Sequence, residues 1–190
     1  MADSLTGLEV AGLREAARVA DLGAGAGFPG LVLAIALSSA TVDLIEAARR
    51  KAAVIDRLRQ AANVENARSV VARAEEWART PPALGGGQER YDAVTARAVA
   101  PLAVLVEYAA PLLRPDGVLV AWKGARDAAE EGLGSTAADE VGMALEEVRR
   151  VEPFPGARNR HLHVYRKVAP TPERFPRRPG MAAKRPLGKR

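Results

Sequence analysis

One ten-residue run constrains this chain more than any other: Asp21-Leu22-Gly23-Ala24-Gly25-Ala26-Gly27-Phe28-Pro29-Gly30. It begins at the end of a short expected strand at 18–22 and runs into an apolar helix expected at 29–37, so it reads as a sharp turn from strand into helix. Glycines remove Cβ atoms from such a turn, which frees the backbone and lets a ligand approach where the helix begins. Pro29 suits the first helical turn, where its missing N–H is not needed. A chain organised around this turn is an α/β protein with a mostly parallel sheet and right-handed crossovers.

The remaining pattern agrees. Further strands are expected at 41–45, 69–72, 91–95 and 118–122, with two more near 144–151 and 162–168. Helical spacing covers 47–62, with Val54, Ile55 and Leu58 on one face, and also 102–113, stopped by Pro115-Asp116-Gly117. Residues 126–140 read as helix and then loop, and 80–90, with Pro81, Pro82 and three glycines at 85–87, as a flexible loop. The division expected is a domain over 1–169 and a basic, Pro/Arg-rich tail over 170–190, with too few apolar residues to pack on its own. Ligands in such sheets bind at the carboxyl ends of the strands, where the strand order reverses.

Composition narrows the class. The 190 residues suffice for one domain with a full core, and the absence of cysteine removes disulfides, thiolate metal sites and cysteine nucleophiles. The start, with Asp3, Glu9, Arg14 and Glu15, does not read as a signal peptide, and the apolar run at 28–37 is shorter than the roughly 20 residues of a bilayer span. A cytoplasmic protein, acting as a monomer away from membranes, is expected. From Val151 onward there are 11 Lys and Arg against 2 Asp and Glu, so the basic end points to a polyanionic partner. His161 and His163 alternate on a strand without a cluster of carboxylates, and no metal is expected. Gly-x-Ser-x-Gly, Gly-Lys-Ser/Thr and His-Glu-x-x-His motifs do not occur.

The turn itself supports two readings. Gly25-x-Gly27-x-x-Gly30 matches the dinucleotide fingerprint, with Glu46 at the spacing of a ribose ligand, and would make the protein an NAD(P)-dependent oxidoreductase. Asp21-x-Gly23-x-Gly25-x-Gly27 matches the nucleoside-binding turn of class I methyltransferases. Asp21 favours the second, because a carboxylate beside the ligand suits the cationic S-adenosylmethionine and repels a pyrophosphate.

Further words follow in order: Arg73-Ala74-Glu75-Glu76, Thr95-Ala96-Arg97-Ala98-Val99-Ala100 and Trp122-Lys123-Gly124. Asn159-Arg160-His161-Leu162, Phe175-Pro176-Arg177-Arg178-Pro179-Gly180 and Lys184-Arg185-Pro186-Leu187 complete the series. Together with Gly-Ala-Gly-Phe-Pro-Gly they resemble the RsmG (GidB) family of bacterial 16S ribosomal RNA guanine-N7 methyltransferases, from about Ala2 to Leu187. The resemblance implies a class I, Rossmann-like fold with a mostly parallel seven-stranded sheet and helices on both faces. It implies that Gly23 and Phe28 contact S-adenosylmethionine, that Ala74 and Glu75 hold its adenine edge, and that Arg97 sits beside it as a positioning group. Glu46 would accept two hydrogen bonds from the ribose diol. Family members carry a helical segment before the point at which this chain starts; that segment is expected to be largely absent here.

Guanine N7 attacks through an exposed lone pair, so no general base is demanded, and alignment would carry the catalysis. The partner implied is 16S rRNA or the small-subunit particle. Candidate RNA contacts are Arg73, Lys123, Arg160 and His161 near the site. Arg177, Arg178, Lys184 and Arg185 lie in the tail, with Arg174, Lys189 and Arg190 adding charge. Removing the tail after Val168 is expected to spare cofactor binding and weaken RNA binding. A non-catalytic RNA-binding relative remains the other alternative.

Overall fold

The computed structural model describes residues 1–188; Lys189 and Arg190 lie outside the described residues. Seven strands form one sheet: β1 (Arg18–Leu22), β2 (Thr41–Ile45), β3 (Ala67–Val70), β4 (Tyr91–Arg97), β5 (Leu113–Lys123), β6 (Met143–Arg150) and β7 (His161–Lys167). Their order is β3-β2-β1-β4-β5-β7-β6. Neighbours from β3 through β5 pair in parallel, and β7 runs antiparallel to both β5 and β6. The order reverses between β1 and β4, which puts the carboxyl ends of those two strands at the mouth of the natural crevice.

Side chains alternate along each strand, so the sheet has a core on each face. Val19, Leu44, Val120 and Trp122 pack against α3 (Gly30–Ala36), α4 (Arg49–Ala61) and the amino-terminal turns. Leu22, Ala96, Leu119 and Tyr165 pack against α6 (Leu102–Ala109) and α7 (Ala128–Val141). The amino-terminal turns are α1 (Ala2–Leu5), a 3-10 turn (Thr6–Glu9) and α2 (Ala11–Arg14). A short α5 (Ala74–Arg79) follows β3, and α8 (Met181–Lys184) lies in the tail.

Several expectations are corrected. The buried side of α4 is Ala52 and Ile55, whereas Val54 and Leu58 are exposed. β5 begins before the Pro-Asp-Gly turn: Leu113 pairs with Tyr91 and Val118 with Ala93, so residues 114–117 bulge out opposite Asp92, to which Arg114 is ion-paired. Within 80–90, Gly86 and Gly87 are buried against Thr80 and Trp77, while 81–85 stay exposed and hold a 3-10 turn at Pro82–Leu84. The helix after β5 continues to Val141, past the expected loop, with Ala137 and Ala138 buried. The tail packs on the body, burying Phe175 and Ala182.

Candidate active site

The glycine turn is held from beneath by its own aspartate. Asp21 is fully buried; its Oδ2 accepts the Gly30 N–H at 2.9 Å and its Oδ1 accepts the Thr95 hydroxyl at 2.8 Å. Burial pushes the carboxyl up to about 7, against the opposing pull of those two donors and the charge of Arg97. A Cβ on Gly30 would stand 2.2 Å from Leu44 Cδ2, so only glycine lets α3 lie this close to β1 and β2. The expectation that Asp21 faces a cationic ligand is therefore corrected. Its carboxylate is a strut, because the donors that satisfy it lie under the turn. The pyrophosphate reading loses ground for the same reason, since the Gly30 N–H is already given to a carboxylate.

Above the turn, a cavity of about 200 Å³ opens over the ends of β1, β2 and β3. Gly23, Glu46, Ala74 and Glu75 meet in its lining, as do Arg73, Val99 and Tyr108. Gly23 has φ +61°, and a Cβ there would stand 2.9 Å from Val99 Cγ2, so the turn requires glycine on both counts. Glu46 is buried, its Oε2 accepting the Gly25 N–H at 3.1 Å and its Oε1 the Ala48 N–H at 2.8 Å. Each of those oxygens keeps a second lone pair. Burial and the Glu75 carboxylate raise the Tyr108 hydroxyl to about 12, so it stays a donor towards Glu75. A purine nucleoside fits this lining: Glu46 suits a vicinal diol, Ile45, Ala72 and Val99 suit the ring faces, and Glu75 suits an exocyclic amino group. Gly25 and Gly27 shape the turn outside the lining, and Phe28 leaves its exposed ring under the Arg97 guanidinium, 5.7 Å from the ring centre.

A second cavity, of about 420 Å³, opens beyond the ends of β4 and β5 and the start of β7. It gathers Arg97, Lys123, Arg160 and His161, with Asp3 as its one carboxylate. Arg97 Nη1 donates to Asp3 Oδ2 at 3.1 Å, and Lys123 Nζ to Glu130 at 2.6 Å. His161 Nδ1 lies 2.8 Å from the Gly124 carbonyl, which fixes the ring and leaves Nε2 open. The segment after β4 serves both cavities, Arg97 and Ala98 lining the cationic one and Val99 the nucleoside-sized one, and Ala98 between them holds a left-handed φ of +57°.

Arg73 lines the nucleoside-sized cavity rather than the cationic one. Arg177 is spent on the buried Glu107, its Nε donating to Oε1 at 2.7 Å. Arg178, Lys184 and Arg185 are exposed outside both cavities. Asp3 and Trp122 were missed as site residues: Trp122 Nε1 donates to the Asp3 carbonyl at 2.8 Å, a contact across 119 residues that no local pattern announces.

The GidB family, described as rRNA small subunit methyltransferase G, matches residues 1–161. The chain belongs to this family. A GidB relative from Symbiobacterium thermophilum, named ribosomal RNA small subunit methyltransferase G, is 40% identical over 97% of this chain and 76% of its own length. One of the same name from Rubrobacter xylanophilus is 42% identical over 97% of this chain and 70% of its own. A SAM-dependent O-methyltransferase of Thermotoga maritima, 18% identical, superposes with a TM-score of 0.68 over 90% of this chain and 66% of that one. This GidB member thus has the class I, Rossmann-like fold. Its antiparallel β7 between β5 and β6 separates it from the 3-2-1-4-5-6 order of dinucleotide-binding sheets. Among the described residues, no helix is long and apolar enough to cross a membrane.

Proposed function

We propose that this chain transfers a methyl group from S-adenosylmethionine to N7 of a guanine in 16S ribosomal RNA. The observation that carries the reading is the run 97–99 after β4, of which Arg97 and Ala98 line a cationic cavity and Val99 a nucleoside-sized, carboxylate-bearing one. Glu46 would bind the ribose hydroxyls and Glu75 the adenine amino group, with Gly23 and Ala74 leaving room for the nucleoside. Bound there, the cofactor would supply an electrophilic methyl group carried on a sulfonium.

The chain's own task is alignment. Guanine N7 holds its lone pair outward, so no side chain has to remove a proton before attack, and neither the paired Asp3 nor His161 in the cationic lining is needed as a base. Arg97, stacked on Phe28 and braced by Asp3, would fix the cofactor carboxylate or an RNA phosphate. Arg160, His161 and Lys123 would hold the flanking phosphates, and the exposed Arg178, Lys184 and Arg185 would meet more distant backbone. Holding N7, methyl and leaving group in line converts an encounter into a near-unimolecular step. The reading places a single copy of the chain in the cytoplasm, acting on 16S rRNA or the small-subunit particle.

Calorimetry with S-adenosylhomocysteine and with NAD tests the cofactor half. Binding of S-adenosylhomocysteine alone is expected; binding of NAD alone would overturn the reading and restore the oxidoreductase.

A further inference from the structure

The carboxyl-terminal segment was expected to be a basic tail with too few apolar residues to pack on its own, and its best-anchored contacts point inward onto the body. Phe175 and Ala182 are buried against α5, α6 and their surroundings, and Leu187 packs on the same core. Arg79 Nη2 donates to the Pro176 carbonyl at 2.7 Å. Arg177 grips Glu107 through two nitrogens and also donates to the Arg185 carbonyl at 2.9 Å. Glu107 is 1% exposed, so this pair is the only charge compensation its carboxylate receives among the hydrogen bonds of the described residues. Between these anchors, the Gly180 N–H donates to Glu75 Oε1 at 2.8 Å, across 105 residues of sequence.

From this arrangement we propose that residues 170–188 are a strap that positions Glu75 for the adenine amino group, with the Gly180 amide as the positioning contact and the Arg177–Glu107 pair as its anchor. The inference rests on the reading of Glu75 given above. Glu75 is a buried carboxylate in the wall of the nucleoside-sized cavity. With Oε1 held by Gly180 and the Tyr108 hydroxyl also donating to the carboxylate, its remaining lone pairs face a choice that matters to a nucleobase. An adenine amino group donates to them, whereas the carbonyl of hypoxanthine repels them and leaves a buried acceptor unmatched. The strap thus acts on cofactor specificity through Glu75, without touching the cofactor itself.

Gly180 allows a narrow test. It sits at φ +81° with nothing within 4 Å of where a Cβ would go, so the Cβ of Gly180→Val meets no neighbour and the substitution forces the backbone, and hence its N–H, out of the left-handed region. Binding of S-adenosylhomocysteine and of S-inosylhomocysteine is measured by calorimetry for the natural chain and for Gly180→Val. The natural chain is expected to prefer the adenine ligand by about tenfold or more. Gly180→Val is expected to lose most of that preference by binding the adenine ligand more weakly, while the inosine ligand changes little. A merely structural disturbance would weaken both ligands alike and keep their ratio, and a ratio kept in Gly180→Val overturns the strap. If the natural chain itself shows no preference, Glu75 is not the adenine contact, and the reading of the site falls together with the strap.

Discussion

At the scale of single residues, two buried carboxylates around the turn have opposite duties. Glu46 receives only two backbone N–H donors and opens to the cavity, so Glu46→Ala is predicted to weaken S-adenosylhomocysteine binding by about 10- to 100-fold, as expected for lost charge-assisted hydrogen bonds. Calorimetry reads this directly, and unchanged affinity would remove Glu46 from the ribose site. Asp21 is sealed and its acid is raised from the ordinary 3.8 to about 7. The folded state therefore binds the proton more tightly than the unfolded chain does, and the benefit, complete below the unfolded value, is lost as pH rises towards the folded one. Asp21→Asn retains an acceptor for Gly30 and is predicted to gain stability relative to the natural chain between pH 4 and 7, by about 1.4 kcal/mol per unit at the steepest. Urea unfolding across that range checks the sign; a difference that does not change with pH contradicts it. The position of Asp21 beside the glycines was plain in the sequence, but the direction of its side chain was not, because Thr95 is its partner across 74 residues.

At the scale of elements, the strand–turn–helix units were legible because each carries its own periodicity and punctuation, and β1 and β2 lie at the expected residues. What escaped local reading depends on partners distant in sequence. β5 starts early because Leu113 finds Tyr91, and the tail is ordered because Glu75 and Glu107 receive Gly180 and Arg177. Close packing around the turn gives a further prediction: Gly30→Ala drives a methyl into Leu44 and Asp21 and should cost about 3 kcal/mol in denaturant unfolding. A loss well under 1 kcal/mol would mean that α3 can move away from the sheet. On the cationic side, Arg160 is exposed at the start of β7 and has no carboxylate partner among the ion pairs of the described residues. Arg160→Ala is predicted to weaken 16S rRNA binding and to lower the salt dependence by about one phosphate contact, a slope change of about 0.7 to 0.9. An identical slope in filter-binding titrations would place Arg160 off the RNA.

At the scale of the whole molecule, the glycine turn, the reversal of strand order and the antiparallel β7 assemble a crevice with two chemically distinct halves. The nucleoside half draws on β1, β2 and β3, and the cationic half on β4, β5 and β7, so the transfer reaction draws on every strand but β6. The charge split along the sequence divides into two uses. Part of the basic end closes the body through Arg177, and part, at Arg160 and His161, lines the cationic cavity. The central claim is transfer of methyl to guanine N7, and N7-methylguanosine is read out by chain cleavage at the modified base after borohydride and aniline treatment. Unmethylated 16S rRNA and small-subunit particles, incubated with this protein and S-adenosylmethionine, are predicted to gain one such cleavage at a guanine in at least one of the two substrates. A protein that binds S-adenosylhomocysteine and RNA yet leaves both substrates uncleaved would contradict the account and leave a non-catalytic RNA-binding relative in its place.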